Sequence, residues 1–455
     1  MSITVLKRNK ALTVNPLKVS APVGATLAFL GLNRSMPLMH GSQGCTAFAK
    51  VMFVRHFREP IPLQTTAMDQ VSTVMGGQES IVEALATIFS KNKPQLIGLM
   101  TTGLTETQGA DIAGALGDFR EKHPEFADRQ VVAVNTPDFA GGFESGFATA
   151  VEGMIRTLVP ALDVGVTRPG KRQRQVNILA GASLTPGDIE SLKEMIEAFE
   201  LRAIVLPDIS DSLDGHLTAS DFTPHTIGGT PLSEIPLMGD SIATLVIGDS
   251  LNATADLLHE KTGVPDYRFS HLLGLDAVDR FVHLLSELAE RPVPARIVRQ
   301  RAQLQDAMVD CHFMIGLTPV AIAAEPDQLL AMCDLLQGMG AEVVAAVTPE
   351  RGPALEKLPL AEVKLGDLED LEQMAQGAGA RLLIGNSHVA QSAERLHLPL
   401  LRCGFPQYDT VGGYQRSWIG YRGTRQALFD IANLLLQHPH AEIEPYRSKY
   451  SQKKD

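Results

Sequence analysis

Gln95-Leu-Ile-Gly-Leu-Met100, followed by Thr101-Thr-Gly-Leu104 and then by Gly109 to Phe119, is the stretch that decides the fold. The short continuous aliphatic run reads as a strand buried on both faces, and the polar, glycine-bearing segment after it as a turn. The apolar spacing from Gly109 to Phe119 then predicts a helix. Val131-Val-Ala-Val-Asn135 opens the next strand, Thr136-Pro-Asp-Phe139 stops it, and Phe143 to Leu158 carries helical spacing again. Strand, turn and helix recurring in that order are the pattern of βα units on a mostly parallel sheet, so the fold class expected is α/β.

Outward from this stretch the alternation continues. The segment PALDVGVTRPGKRQRQ, from Pro160 to Gln175, holds two prolines, two glycines and a local basic cluster, and reads as a domain boundary. Beyond it come the strand Val176-Asn-Ile-Leu179, the turn Leu184-Thr-Pro-Gly-Asp188 with Pro and Asp placed as helix starts prefer, and the strand Ala203-Ile-Val-Leu206. A softer boundary lies where the helix Leu275 to Glu290 meets Arg291-Pro-Val-Pro294. The amphipathic segment Arg299 to Met314 then precedes strands near Val320 to Ala323, Val343 to Val347, Leu382 to Ile384 and Leu398 to Leu401. The spans expected are 1–165, 172–297 and 298–455, the last ending in a polar tail from Ser448 to Asp455. Three units suit 455 residues at roughly 150 residues per domain.

Hydrophobic residues at 44% and charged residues at 20% are those of an ordinary globular protein. A net charge of -12 weighs against nucleic acid or an anionic membrane as the main partner, since both need a positive footprint. Lys7, Arg8 and Lys10 are basic, but the apolar stretch Ala21 to Leu32 is too short to span a bilayer and lacks a small-residue cleavage site, so a cytoplasmic protein is expected. Four scattered cysteines make no disulfide framework and fit a reducing compartment.

The segment that can carry chemistry is His40-Gly-Ser-Gln-Gly-Cys45-Thr-Ala-Phe. Two glycines within four residues allow tight backbone geometry just before a cysteine and a helical run. At a helix start the unpaired N–H groups and the dipole favour a thiolate, hence a metal bond; a lone cysteine also packs as a small inert hydrophobe. No second cysteine lies within ligand spacing, so a cluster built on Cys45 draws its other thiolates from another chain. Cys311 beside His312, Cys333 and Cys403 read as packing residues. There is no CxxC pair and no Walker A loop, and Gly141, Gly142 and Gly146 lack the G-x-G-x-x-G spacing. Asp208, Asp211 and Asp214 in PDISDSLDGH suit either a hard cation or a solvated turn, the turn being favoured. His388 follows a strand where α/β proteins place sites, with a structural role favoured.

The ordered series HGSQGCTAFAK at His40, TTAMDQVSTVMGG at Thr65, TTGLTETQGADI at Thr101, NTPDFAGGFESGF at Asn135, LTPGD at Leu184, GNSH at Gly385, GFPQYD at Gly404 and GYRG at Gly420 resembles the nitrogenase component 1 family over nearly the whole chain. Within that family it is most similar to the β-type subunit of a scaffold on which the iron-molybdenum cofactor precursor matures. The resemblance implies three Rossmann-like αβα domains and pairing with a NifE-type subunit in an α2β2 heterotetramer. It also implies a [4Fe-4S] cluster shared across each pair, with Cys45 as this chain's single ligand, and the nitrogenase iron protein as a transient partner. The precursor itself is implied to be held mainly by the partner. Gly44, Thr46 and neighbouring amides are expected to tune the cluster through hydrogen bonds to sulfur. Gly103 stands where the nitrogenase β subunit carries a further cluster cysteine, a departure that argues against a complete P-cluster. The competing expectations are a catalytic-complex β subunit, of nitrogenase or of dark-operative protochlorophyllide reductase, and a cluster-free binding module in which Cys45 is packed.

Overall fold

A computed structural model describes residues 3–69, 77–161, 169–217, 223–438, 448 and 450. The chain opens with β1 (Thr4–Leu6), α1 (Ala21–Leu30), β2 (Ser35–His40), α2 (Gln43–Phe57), β3 (Gln64–Thr65), α3 (Gln78–Lys91), β4 (Leu96–Thr101), α4 (Gly103–Gln108), α5 (Ile112–Lys122), β5 (Gln130–Val134) and α6 (Phe143–Leu158). It continues with β6 (Gln175–Ala180), α7 (Pro186–Glu197), β7 (Arg202–Leu206), α8 (Ile209–Ser212), β8 (Ala243–Ile247), α9 (Asn252–Thr262), β9 (Asp266–Phe269), α10 (Leu275–Ala289) and α11 (Ala295–Ile315). The last part holds β10 (Pro319–Ala323), α12 (Pro326–Gly338), β11 (Glu342–Thr348), β12 (Glu362–Leu365), α13 (Leu368–Gly377), β13 (Leu382–Gly385), α14 (Ala390–Leu396), β14 (Leu400–Arg402) and α15 (Gly420–Gln437).

These strands form three sheets, ordered β3-β2-β4-β5, β7-β6-β8-β9 and β1-β12-β11-β10-β13-β14, and every strand pair among the described residues is parallel. The α/β expectation therefore holds. Each sheet also reverses its winding direction at one place, between β2 and β4, between β6 and β8, and between β10 and β13. Such switch points open crevices at the carboxyl ends of strands. Thr4–Leu6, far from the third sheet in sequence, pairs in register with Glu362–Lys364 and covers that sheet's edge.

The helix expected over Phe143 to Leu158 is α6, and the strand expected over Gln95 to Met100 is β4, shifted by one residue. The segment Thr101 to Leu104 differs from its reading as a plain turn. A reciprocal cap between Thr102 and Thr105 starts the short helix α4 there, and Gly109, at φ 68°, ends it. The helix expected from Gly109 consequently starts later, as α5, where the Asp111 carboxylate accepts from the Gly114 N–H. Residues 162–168 of the PALDVGVTRPGKRQRQ segment, 70–76 of the TTAMDQVSTVMGG motif, and 449 and 451–455 of the tail lie outside the described residues.

Helix α1 is buried along its whole length and crosses α6 at very close range. A Cβ on Gly24 would lie 1.8 Å from the Phe143 carbonyl oxygen, and one on Gly146 would lie 2.0 Å from that of Ala21. Gly146 is thus a helix-crossing glycine rather than part of a nucleotide turn. The sheets are joined by carboxylates that cap one another's helix starts. Glu350, after β11, accepts from the α6 amides of Gly142 at 2.8 Å and Glu144 at 2.9 Å. Glu144 accepts in return from the Asp327 N–H on α12 at 2.9 Å, and Asp327 accepts from Asp249 N–H at 3.0 Å and Ser250 Oγ at 2.6 Å beside α9. Asp188 of the LTPGD motif caps its own helix through Thr185 and also receives the amides of Trp418 and Ile419, tying α7 to the segment before α15. Among the described residues no helix is long and apolar enough to cross a membrane.

Candidate metal centre

Cys45 lies in the first turn of α2, directly after β2, and Gly103 opens α4 directly after β4. Both therefore sit at the switch point of the first sheet. A network of short side chains fixes the turns around it. The His40 carbonyl accepts from the hydroxyls of Thr102 and Thr105 at 3.1 and 3.2 Å, and the Thr66 hydroxyl accepts from the Gly41 N–H at 3.1 Å. Thr136, opening the third turn, donates its N–H to Thr101 Oγ1 at 2.9 Å and its hydroxyl to the Thr101 carbonyl at 2.7 Å. His40 Nδ1 lies 3.0 Å from Thr66 Oγ1, and burial pushes the imidazole down to about 4, so it is neutral at physiological pH.

Cys45 is exposed, with its Sγ 3.5 Å from Ser42 Oγ, so in the isolated chain its thiol is not buried in the core. Ser42, the N-cap, makes no side-chain cap bond, and no acidic residue lies in the first turn, so the amides at this end of α2 are not neutralised from within the helix. Gly44 faces open space, since a Cβ there would meet nothing within 4 Å. Thr46 is buried, and its hydroxyl has no hydrogen-bond partner.

Helix α2 has two apolar faces. Ala49, Phe53, His56 and Phe57 point into the core, whereas Phe48, Val51 and Val54 are exposed at 64%, 54% and 39% along the outer arc of the helix, of which Phe48, three residues on, is the one beside Cys45. The inward face is held by the GFPQYD segment. Phe405 packs 5.3 Å from Phe53 and 4.8 Å from Phe143, and buried His56 accepts from the Gln407 N–H at 2.9 Å. The third sheet's loop thus sets the pose of the helix that presents Cys45.

At Gly103 the structure supplies a residue the sequence reading passed over as part of a turn. The Asp138 carboxylate accepts from the Gly103 N–H at 3.3 Å, and a Cβ on Gly103 would lie 3.4 Å from it. Its second oxygen is buried without a partner, and burial pushes its carboxyl upward against the opposing Gly103 N–H and Lys18. The signal available in the sequence was the pairing of two motifs, TTGLTETQ and NTPD, on adjacent turns.

The remaining candidates are kept apart from this place. Cys311, Cys333 and Cys403 are buried, and desolvation raises all three thiols, Cys403 to about 12. Asp208 caps the α8 turn and pairs with Lys193 at 2.9 Å, Asp211 accepts from the Gly229 N–H, and Asp214 binds His216. These are the turn contacts of the favoured reading. Burial lowers His388. Among the described residues no three His, Cys, Asp or Glu side chains converge as a metal site. The donor set accordingly fits one corner of a cluster completed by another chain, not a cluster held by this chain alone.

Three parallel sheets with a single exposed thiol at a switch point define a chain of the nitrogenase type, and the chain belongs to the nitrogenase component 1 type oxidoreductase family, whose match spans residues 20–436. Within it the similarity is to proteins described as nitrogenase iron-molybdenum cofactor biosynthesis protein NifN. That of Rippkaea orientalis is 49% identical over 95% of this chain and 96% of its own length, and that of Nostoc sp. 46% over 99% of each. That of Klebsiella pneumoniae is 44% identical over 98% of this chain and 96% of its own. A solved chain of nitrogenase Cp1 at pH 6.5 superposes with a TM-score of 0.89 at 30% identity, covering 97% of both chains.

Proposed function

We propose that this chain is a cytoplasmic scaffold subunit in maturation of the nitrogenase iron-molybdenum cofactor, pairing with a NifE-type subunit in an α2β2 assembly and giving one thiolate, Cys45, to a [4Fe-4S] cluster at their interface. The observation that carries this reading is the exposure of Cys45 beside exposed Phe48, at a helix start whose amides are unfilled and whose outer arc continues through exposed Val51 and Val54. An apolar helix face left in water beside a ligand-type thiol is what a partner-completed site requires. When bound, the cluster supplies one-electron transfer. This chain's residues position the thiolate through the turn at Gly41 and Gly44, orient α2 through Phe405 and His56, and, on docking, exclude water with the Phe48 face. The nitrogenase iron protein is the proposed transient reductant, and the precursor is assigned mainly to the partner.

Against the reading as a catalytic nitrogenase β subunit stands the pair Gly103 and Asp138. The position of a further thiolate carries no side chain, and a carboxylate faces it. The test is anaerobic co-purification with a NifE-type partner free of precursor, followed by iron quantitation and EPR after reduction. Loss or marked alteration of the [4Fe-4S] signal in Cys45→Ala, with the complex still assembled, supports the shared cluster. Unchanged signal and iron content refute it.

A further inference from the structure

A second site lies between the first and third sheets. A cavity of about 320 Å³ is walled by the N-terminal arm, the loop before α6, the loop after β11 and the loop after β12. Three cations line it: Arg8 and Lys18 from the arm and Arg351 from the β11 loop. None of the three forms an ion pair among the described residues; Lys18 donates to the Asp138 carbonyl at 2.9 Å, while the Arg8 and Arg351 guanidiniums make no hydrogen bond to another described residue.

The two acids in the same wall are already engaged. Glu350 spends its oxygens on the α6 amides of Gly142 and Glu144, and Asp367 on Lys10 Nζ at 2.6 Å and the Val14 N–H at 2.8 Å. The chain carries a net charge of -12, and Arg8 and Arg351 are solvent-exposed guanidiniums on the rim of this cavity. Two guanidiniums without ion pairs and an ammonium lining one concavity suit recognition of multiply charged oxyanions.

We propose that this cavity binds a compact polyanion carrying two or more negative charges, a di- or tricarboxylate or a phosphate. A single carboxylate engages one fork only, whereas a polyanion spans the arm and the β11 loop together. Because Arg8 and Lys18 belong to the arm that ends in β1, the ligand also fastens that arm to the third sheet. The site is independent of the reading of Cys45.

The test titrates the full-length chain at low ionic strength, by calorimetry, with citrate, inorganic phosphate and acetate. Citrate or phosphate is expected to bind in the millimolar range or tighter, acetate about tenfold more weakly, and salt to weaken the binding as it screens the forks. Stronger binding of citrate assigns the site to polycarboxylates, and stronger binding of phosphate to phosphate esters. The double variant Arg8→Gln/Arg351→Gln, both positions exposed, is expected to weaken binding at least about tenfold with an unchanged thermal midpoint, while Arg299→Gln on α11 leaves it intact. The proposal is overturned if neither polyanion binds below about 10 mM, or if the double variant binds as the wild type does.

Discussion

Replacing Glu350 by alanine isolates the carboxylate that joins the third sheet to the first. Its loss leaves the Glu144 N–H without its 2.9 Å acceptor and the part-buried Ser145 N–H without its 3.4 Å one, whereas the Gly142 N–H keeps Ser145 Oγ at 2.9 Å. One orphaned buried donor costs about 1–3 kcal/mol, and removing a negative charge from a helix start costs about 0.5–2 kcal/mol. Part of this is returned, because Glu350 also repels buried Glu325 and Glu144 and raises both carboxyls. The net expectation is a loss of about 2–3 kcal/mol confined first to the α6 start, or roughly 30–150-fold faster amide exchange over residues 143–147. Native-state hydrogen exchange read by mass spectrometry resolves that segment. Glu350→Gln, which keeps an acceptor and removes the repulsion, is expected to recover more than half. Exchange in the alanine variant within about twofold of wild type would refute the capping argument.

The remaining expectations concern protonation, packing and thiol access. Glu144 and Glu325 are buried, and their carboxyls are raised from 4.5, so the folded state favours the neutral acids; stability is fullest below pH 4.5 with respect to these groups and falls as pH rises from there until they ionise in the fold. Glu325→Gln should flatten the fall of the thermal midpoint over that range, and a slope identical to wild type would remove Glu325 from the account. Gly146→Ala places a Cβ 2.0 Å from the Ala21 carbonyl oxygen and should cost at least about 3 kcal/mol or abolish soluble expression; a variant with the wild-type midpoint would mean that α1 and α6 separate freely. In the isolated native chain a thiol reagent should titrate one cysteine quickly, Cys45, and the other three only in denaturant. Phe48→Asp should abolish co-purification with a NifE-type partner without lowering the midpoint of the chain alone, since its side chain is in water before docking.

How far the sequence reached depended on how local the deciding interaction was. Phe143 to Leu158 was legible as a helix because its apolar spacing follows from its own packing face, and the place of Cys45 was legible because Gly41 and Gly44 frame a tight turn before a helical run. The short helix α4 was not, since its stability rests on a reciprocal Thr102 and Thr105 cap that leaves no hydrophobic period. Neither was β2, where Pro37 interrupts the aliphatic run although it sits in a strand buried on both faces. Partnerships across great separations were invisible altogether. Glu350 caps a helix some two hundred positions earlier, and the role of Asp138 emerges only when the turns after β4 and β5 stand side by side. Family resemblance, rather than periodicity, singled out Gly103 as the position to inspect.

The pairing of β1 with β12 also fixes an order of events during synthesis. Thr4–Leu6 emerge from the ribosome long before their partner strand, Glu362–Leu365, is made. The first sheet has all of its strands once Val134 has emerged and is free to form early. Throughout that interval the leading arm has no edge to join, and Arg8 and Lys18 have no Arg351 opposite them. The six-stranded sheet closes only once Leu400–Arg402 have been made, so its completed edge marks a chain synthesised at least that far.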